Sequence, residues 1–200
     1  MTRIEFAQGS LTDGAETVLV NASNTNAALG SGVSGAIRRA CGPQFQAQIL
    51  ETLKVQYGGP MTPGDVLVTH AGTHPRAKWV AHVAVMDYRN GMGPHSFPTL
   101  ETTEKGCARP WPALEALEGT EKLSVAMVAL GAGTGDLGVA NPTRIAATSL
   151  AAHLRLGRTR LERVRFYGYL THELAPIAAE LVKVFPEVKA TLPPELAKVL

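Results

Sequence analysis

Cysteine is scarce in this chain of 200 residues, and the two that occur, Cys41 and Cys107, stand far apart and outside any CxxC pair. That spacing excludes a disulfide framework and a zinc knuckle, so the expectation is two reduced thiols in an intracellular protein. Charge of one sign is lacking too: nineteen Lys and Arg face seventeen Asp and Glu, a formal +2, with no block of like charge. A strong generic affinity for nucleic acid or for an anionic membrane is therefore not expected. No apolar run reaches the roughly 20 residues of a membrane-spanning helix. The opening stretch MTRIEFAQGSLTDG puts charges and turn formers where a signal peptide needs an unbroken apolar segment. These absences lead to the expectation of a soluble, cytoplasmic protein. Internal repeats and low-complexity tracts are missing as well.

What the chain does have is a hydrophobic fraction of 45% at single-domain length, enough to bury a substantial core. One domain over residues 1–200 is expected, with a core of about 3–185 and a C-terminal tail or short helix over 186–200. Short β-rich runs alternate with helix-like runs throughout. Residues 3–7, 17–22, 65–70, 78–86, 123–130 and 163–170 read as strands, several of them apolar on consecutive positions as in strands buried on both faces. Between them, Val33, Ala36, Ile37, Ala40 and Cys41 follow one helix face, and Asn141 before Pro142 predicts an N-cap and first-turn pair. The pattern implies a three-layer α/β/α architecture around a mixed, mostly parallel sheet. Residues 87–98, rich in Gly and Pro, read as an exposed loop.

Two glycine loops stand out. GSGVSG, Gly30 to Gly35, matches GxGxxG, but a dinucleotide-binding fingerprint starts its first glycine almost directly after the strand. Here SNTNAAL intervenes, which argues against that fold. The physical use of the glycines survives: Gly30, Gly32 and Gly35 lie at the start of an amphipathic helix, where close backbone approach and free first-turn N–H groups suit a phosphate. A second loop, GAGTGDLG from Gly131 to Gly138, directly follows another strand. Either loop alone is as readily a simple turn as an anion site; two at strand C-termini would flank one crevice and hold a diphosphate from both sides. Asn21, Asn24 and Asn26 either make Asx turns and caps or read a polyol such as ribose, and Asn24 is the one placed to face a ligand.

VNASNTNAALGSGVSGAIRRACG resembles the macrodomain signature, in which VNAAN precedes a spacer and a GGGV-x-GAI-x-RAAG loop and helix. The likeness extends through TPGDVLVTHAG, KWVAHVAV and VALGAGTGDLGVANPTRIAA, and covers roughly residues 3 to 170 in order. It implies a macrodomain-like α/β/α fold that binds ADP-ribose or a derivative, free or on an ADP-ribosylated macromolecule, without cofactor or metal. Some members only bind; others hydrolyse ADP-ribosyl bonds, O-acetyl-ADP-ribose or ADP-ribose 1''-phosphate. By motif, Asn24 contacts the distal ribose, and Ala22 on the same strand belongs to the ligand-binding set. Gly30, Ser31, Gly32, Val33 and Ser34 wrap the diphosphate from one side, and Gly131, Ala132, Gly133, Thr134, Gly135, Asp136 and Leu137 from the other. Ser10 and Leu11 occupy the adenine-reading turn. Tyr167 and Tyr169 either pack at the sheet edge with their hydroxyls at the surface, or one of them borders the adenine pocket.

The departures from the family bear on mechanism. Ser10 replaces the aspartate that reads adenine, so its hydrogen bond lacks charge assistance. Ser34 replaces the aspartate of the hydrolytic branch, and a lone serine is a poor general base. Leu137 replaces an aromatic and supplies a wall without stacking. A binding module with little or no hydrolysis is therefore the expectation. Its rivals are a hydrolase in which the ligand's own phosphate positions water with help from Asn24 or Asp136, and a nucleotide- or RNA-binding scaffold with another ligand. His70 and His74 have metal-like spacing only on a continuous helix, which Gly72 and Pro75 preclude; capping or exposure is expected. His82, inside an apolar strand, reads as a hydrogen-bonded core histidine. Asp87, His95 and Ser96 lie on one flexible loop, a poor means of fixing a catalytic triad.

Overall fold

The computed structural model describes residues 1–119 and 121–198. Six strands, β1 (Arg3–Gln8), β2 (Val18–Asn24), β3 (Val66–His70), β4 (Trp79–Met86), β5 (Leu123–Val128) and β6 (Leu161–Gly168), form one sheet in the order β1-β6-β5-β2-β4-β3. Every pairing is parallel except β3 with β4. That exception follows from chain length, since residues 71–78 are too few for the crossover a parallel pair requires. The sheet is thus mixed and mostly parallel. β5 is buried at every position and β4 at every position after Trp79, as consecutive apolar runs demand when helices cover both faces.

Alternation along β4 assigns the faces. His82 meets the ring of Phe45, in α2 (Phe45–Tyr57), whereas the next residue, Val83, lies against Gly106 of α3 (Leu100–Ala108). One layer therefore holds α1 (Gly32–Cys41) and α2. The other holds α3 with α5 (Ala140–Leu154) against it and α6 (Leu174–Val184) over β1 and β6, while the short α4 (Pro110–Glu115) adjoins α3. Trp111 of α4 is fully buried, its indole N–H donating to Ser149 of α5. Both thiols are free and buried, and burial pushes Cys41 and Cys107 up to about 12, far from a reactive thiolate.

Three expectations need correction. Helix α5 starts at Ala140, with Thr143 donating to the Val139 carbonyl, so Asn141 lies inside the first turn and accepts from Arg144 instead of capping. The packed body runs past residue 185, because Val188, in the turn Pro186–Thr191, joins the core; α7 (Pro194–Ala197) follows it. Residues 199 and 200 of the expected tail lie outside the described residues. Tyr167 does not place its hydroxyl at the surface. It is buried and donates to Glu16 at 2.9 Å. Among the described residues no helix packs on β1 and β6 on that side. The segment after β1 folds over instead, and its Glu16 carboxylate also takes Arg165 at 3.0 Å and Arg163 at 3.4 Å. Arg165 reaches across to Glu5, its partner in register on β1. The buried charge is thereby matched by two guanidinium groups and a phenol, the condition under which burial is tolerated.

Candidate functional site: an anion-binding crevice

Strands β2 and β5 are parallel neighbours, so the loops that leave their C-terminal ends emerge side by side on one edge of the sheet. These are the two glycine loops. Neither residues 25–34 nor residues 129–138 contain Lys or Arg. Within these two segments the groups offered to an anion are therefore main-chain N–H groups.

The first loop is clamped before it reaches the helix. Asn24 accepts the N–H groups of Asn26 (3.1 Å) and Ala28 (3.2 Å) and donates to the Ala28 carbonyl (2.8 Å). Gln46 of α2 adds a second clamp, accepting from Leu29 and donating to Ala27. This holds Ala27 at φ 51, a conformation an alanine seldom adopts. At α1 itself, the N-cap Ser31 makes no side-chain bond to the first turn. The N–H groups of Gly32, Val33 and Ser34 therefore lack intrahelical acceptors. A Cβ on Gly30 or Gly32 would meet nothing within 4 Å, so both border open space.

The second loop closes on itself. Leu137 donates to Gly131 (3.2 Å) and Asp136 to Gly133 (2.9 Å), with Asp136 exposed at φ 56. Among the described residues the N–H groups of Gly133, Thr134 and Gly135 find no acceptor. A Cβ on Gly135 would stand 2.5 Å from the Gly131 carbonyl oxygen and 2.6 Å from Pro98, whereas one on Gly133 would meet nothing. Loop 87–98 is thus not merely exposed: its last residue, Pro98, is buried against the second glycine loop.

Beneath the first loop runs a buried polar chain. Ser34 donates to Asn21 Oδ1 (2.9 Å), Asn21 Nδ2 donates to His82 Nδ1 (3.1 Å), and His82 Nε2 meets Thr69 Oγ1 (3.1 Å). Donor logic assigns the Nε2–H tautomer to His82, because the Asn21 carbonyl is taken by Ser34. Burial pushes His82 down to about 3, so the ring is neutral. It is a core histidine, as expected.

Of the residues the sequence singles out, Gly30, Ser31, Gly32, Gly133, Thr134 and Asp136 are exposed along this edge. Ser34 is buried with its hydroxyl turned toward β2, Leu11 points into the core, and Asn24 is 9% exposed with one amide hydrogen uncommitted. Ser10 caps the turn Leu11–Asp13 and bonds Thr12 Oγ1 at 2.7 Å. Tyr169, at the end of β6, is 71% exposed. His74 is buried: its Nδ1 accepts from Arg76 and Ala77 while Nε2 meets the Thr12 carbonyl, whereas exposed His70 stacks on Trp79. Asp87 pairs with Arg89, which holds its carboxyl down to about 2, and Ser96 bonds within its own loop, so Asp87, His95 and Ser96 form no relay. Among the described residues no three His, Cys, Asp or Glu side chains converge as a metal site, and no helix is long and apolar enough to cross a membrane. Sequence reasoning missed Pro98 and the Glu16 cluster. Phe97, a large apolar residue in a loop, was the visible signal that residues 87–98 do more than connect.

Beyond β2, a cavity of about 260 Å³ opens beside β4, lined by Met86, Tyr88, Met92, Phe97 and Thr134 among others. Thr134 belongs to the second glycine loop, so cavity and crevice are continuous.

The Macro domain family model matches residues 20–146. A macro domain-containing protein of Streptomyces nogalater is 31% identical over 183 residues, covering 90% of this chain and 93% of its own. An O-acetyl-ADP-ribose deacetylase of an Enterobacter strain is 35% identical over 131 residues, 64% of this chain and 67% of its own. Among solved structures, the Oceanobacillus iheyensis macrodomain with ADP superposes with a TM-score of 0.73 at 18% identity, covering 92% of each chain. The Trypanosoma brucei macrodomain in complex with ADP-ribose does so with a TM-score of 0.71 at 22% identity, covering 88% of this chain and 67% of its own. Sequence and architecture agree, and the chain belongs to the Macro domain family.

Proposed function

We propose that the crevice binds ADP-ribose or a close derivative, free or attached to a macromolecule, and turns it over slowly or not at all. The observation that carries this reading is the pair of facing amide sets: Gly32, Val33 and Ser34 at an uncapped helix start, and Gly133, Thr134 and Gly135 one strand away. Two clusters of unsatisfied main-chain donors suit a diphosphate, whose two anionic groups are held by backbone N–H and helix dipole. In this reading the adenine lies over β1 and β6, the diphosphate over β5 and β2 and the distal ribose at Asn24, an order compatible with the sequence of strands in the sheet.

Slow turnover is inferred from the lack of a base. Ser34 is buried and spends its proton on Asn21, so the serine where hydrolytic relatives carry an aspartate does not face water. Hydrolysis remains a second reading for a specific reason, namely the deacetylase relatives and the exposed Asp136 carboxylate in the second loop. Adenine discrimination should be modest, since Ser10 offers a neutral hydroxyl already bonded to Thr12.

Isothermal titration calorimetry with ADP-ribose, AMP, ATP and NAD tests the ligand. Micromolar or tighter binding of ADP-ribose with weak AMP binding is expected; equal binding of all four would replace the reading with a general nucleotide scaffold. Chromatography of O-acetyl-ADP-ribose incubated with the protein tests turnover. Rapid release of acetate, lost in Asp136→Asn, would make the protein an esterase.

A further inference from the structure

The loop between β3 and β4, residues 71–78, contributes nothing to the two glycine loops, yet it is hydrogen-bonded to two separate parts of the crevice wall. Arg76 is exposed, but its guanidinium lies along the main chain of the segment after β1. Its Nε donates to the Gly14 carbonyl (2.7 Å), and its Nη2 to those of Asp13 (2.9 Å) and Thr12 (3.4 Å). His74 is buried beside it. Its Nδ1 accepts the N–H groups of Arg76 (3.1 Å) and Ala77 (2.9 Å), so its hydrogen stands on Nε2 and is donated to the Thr12 carbonyl at 3.2 Å. Three successive carbonyls at the end of the turn Leu11–Asp13 are thereby collected by two side chains. The same loop holds α1: the N–H and hydroxyl of Thr73 both donate to the carbonyl of Cys41, the last residue of that helix, at 3.0 and 3.3 Å.

What this arrangement supports is the turn. Leu11–Asp13 is a single short 3₁₀ turn, and its own hydrogen bonds are few: Asp13 donates to the Ser10 carbonyl, and Thr12 to the Ser10 hydroxyl at 3.4 Å. It leaves β1 beside the end of β6, where the Gly9 N–H donates to Gly168 and Tyr169 stands exposed, and α1 packs against it. Among the described residues the N–H groups of Ser10 and Leu11 find no acceptor. The turn carries no charge at Ser10, so what it can offer a base is a fixed arrangement of neutral groups, and such an arrangement is effective only if it is held before the ligand arrives. An exposed arginine that lies down on three carbonyls gives up rotamer freedom to hold it.

We infer that His74 and Arg76 are positioning residues for the base of the ligand. Neither touches it; by gripping the carbonyl end of the turn they present the Ser10 end to the base, while Thr73 ties the diphosphate-binding helix to the same loop. The inference rests on the reading of the crevice as an ADP-ribose site. Calorimetry compares ADP-ribose with ribose 5-diphosphate, which keeps the diphosphate and one ribose but has no base, the weaker ligand being measured by displacement. The ratio of the two affinities reports what the adenosine half contributes. In Arg76→Ala, where an exposed side chain is truncated, this ratio should fall by about tenfold while ribose 5-diphosphate affinity stays within about twofold. His74→Leu should lose as much, whereas His74→Gln, whose amide can still accept an N–H and donate to Thr12, should keep the ratio within about threefold of the unsubstituted protein. Melting curves show which variants are folded, and Arg76→Ala alone decides the matter if His74→Leu is not. An unchanged ratio in Arg76→Ala, or an equal loss for both ligands, would overturn the inference and leave the loop a support of the fold. Equal affinity of the unsubstituted protein for both ligands would refute the inference while the diphosphate reading stands. If neither ligand binds, the crevice reading fails and takes the positioning role with it.

Discussion

The two glycine loops have nearly the same composition and do different physical work. The loop at Gly30 to Gly35 feeds straight into a helix, and its contribution is a field: three first-turn amides and an uncapped dipole end. The loop at Gly131 to Gly138 is separated from α5 by Val139 and contributes a shape, a turn closed by Leu137 on Gly131 and wedged by Pro98. Within each loop the glycines divide again. Gly35 and Gly135 are required because a Cβ would strike a backbone oxygen, and Gly32 and Gly131 because their φ of 58 and 85 strains any other residue, whereas Gly30 and Gly133 face the crevice with room to spare. A glycine motif therefore mixes residues that make the loop with residues that leave space for the ligand, and substitution separates the two.

The sharpest separation is Gly133→Glu. An added Cβ meets nothing within 4 Å and the position is exposed, so thermal stability should hold to within about 0.5 kcal/mol. A carboxylate against a diphosphate should nevertheless weaken ADP-ribose binding by about 100-fold or more. Calorimetry beside a melting curve reads both, and retained affinity would remove this loop from the site.

The foundation of the first loop should show in acid. His82 is pushed from 6.5 down to about 3 by burial. The unfolded chain therefore binds a proton that the native chain refuses between those values, and stability must fall as pH drops from about 6.5 toward 3, by up to about 1.4 kcal/mol per pH unit. Urea titrations across that range should lose this slope in His82→Gln. An unchanged slope would move the acid sensitivity elsewhere.

Next in size is Gly135→Ala, whose Cβ falls 2.5 Å from a backbone oxygen. Overpacking there should lower stability by about 1–3 kcal/mol, seen as a melting point lower by about 5 °C, while Gly30→Ala in the other loop leaves it unchanged. Equal behaviour of the two would collapse the distinction between shape and field. The smallest effect belongs to Ser34→Ala, which removes one buried hydrogen bond to Asn21. A loss of about 1 kcal/mol is expected, with ADP-ribose affinity changed less than about threefold, because the Ser34 amide and not its hydroxyl serves the crevice. A large loss of affinity would return the hydroxyl to the binding surface.

Much of this was legible in the sequence because it is local. Apolar runs such as the one in β5 announce strands buried on both faces, the 3.6-residue spacing from Val33 to Cys41 announces α1, and glycines at strand ends announce the crevice. The signature from Val20 to Gly42 carried the family. Where local reasoning failed, the deciding partner was distant in the chain: Tyr167 is buried because Glu16 awaits its hydroxyl, and residues 87–98 are anchored because Pro98 fills the space over Gly135. Asn141 misled because its capping signature held while the chain turned helical earlier.

The sequence by itself determined the alternation of elements, the family and the placing of two phosphate-like loops at strand ends, since these depend on residues a few positions apart. Only the tertiary structure decided that β2 lies between β5 and β4, bringing loop, loop and cavity into one row, and that Ser34 turns inward to Asn21 while Asn24 clamps its own loop. The physical reason is that burial and hydrogen-bond satisfaction are settled between strands that are neighbours in the sheet without being neighbours in the chain.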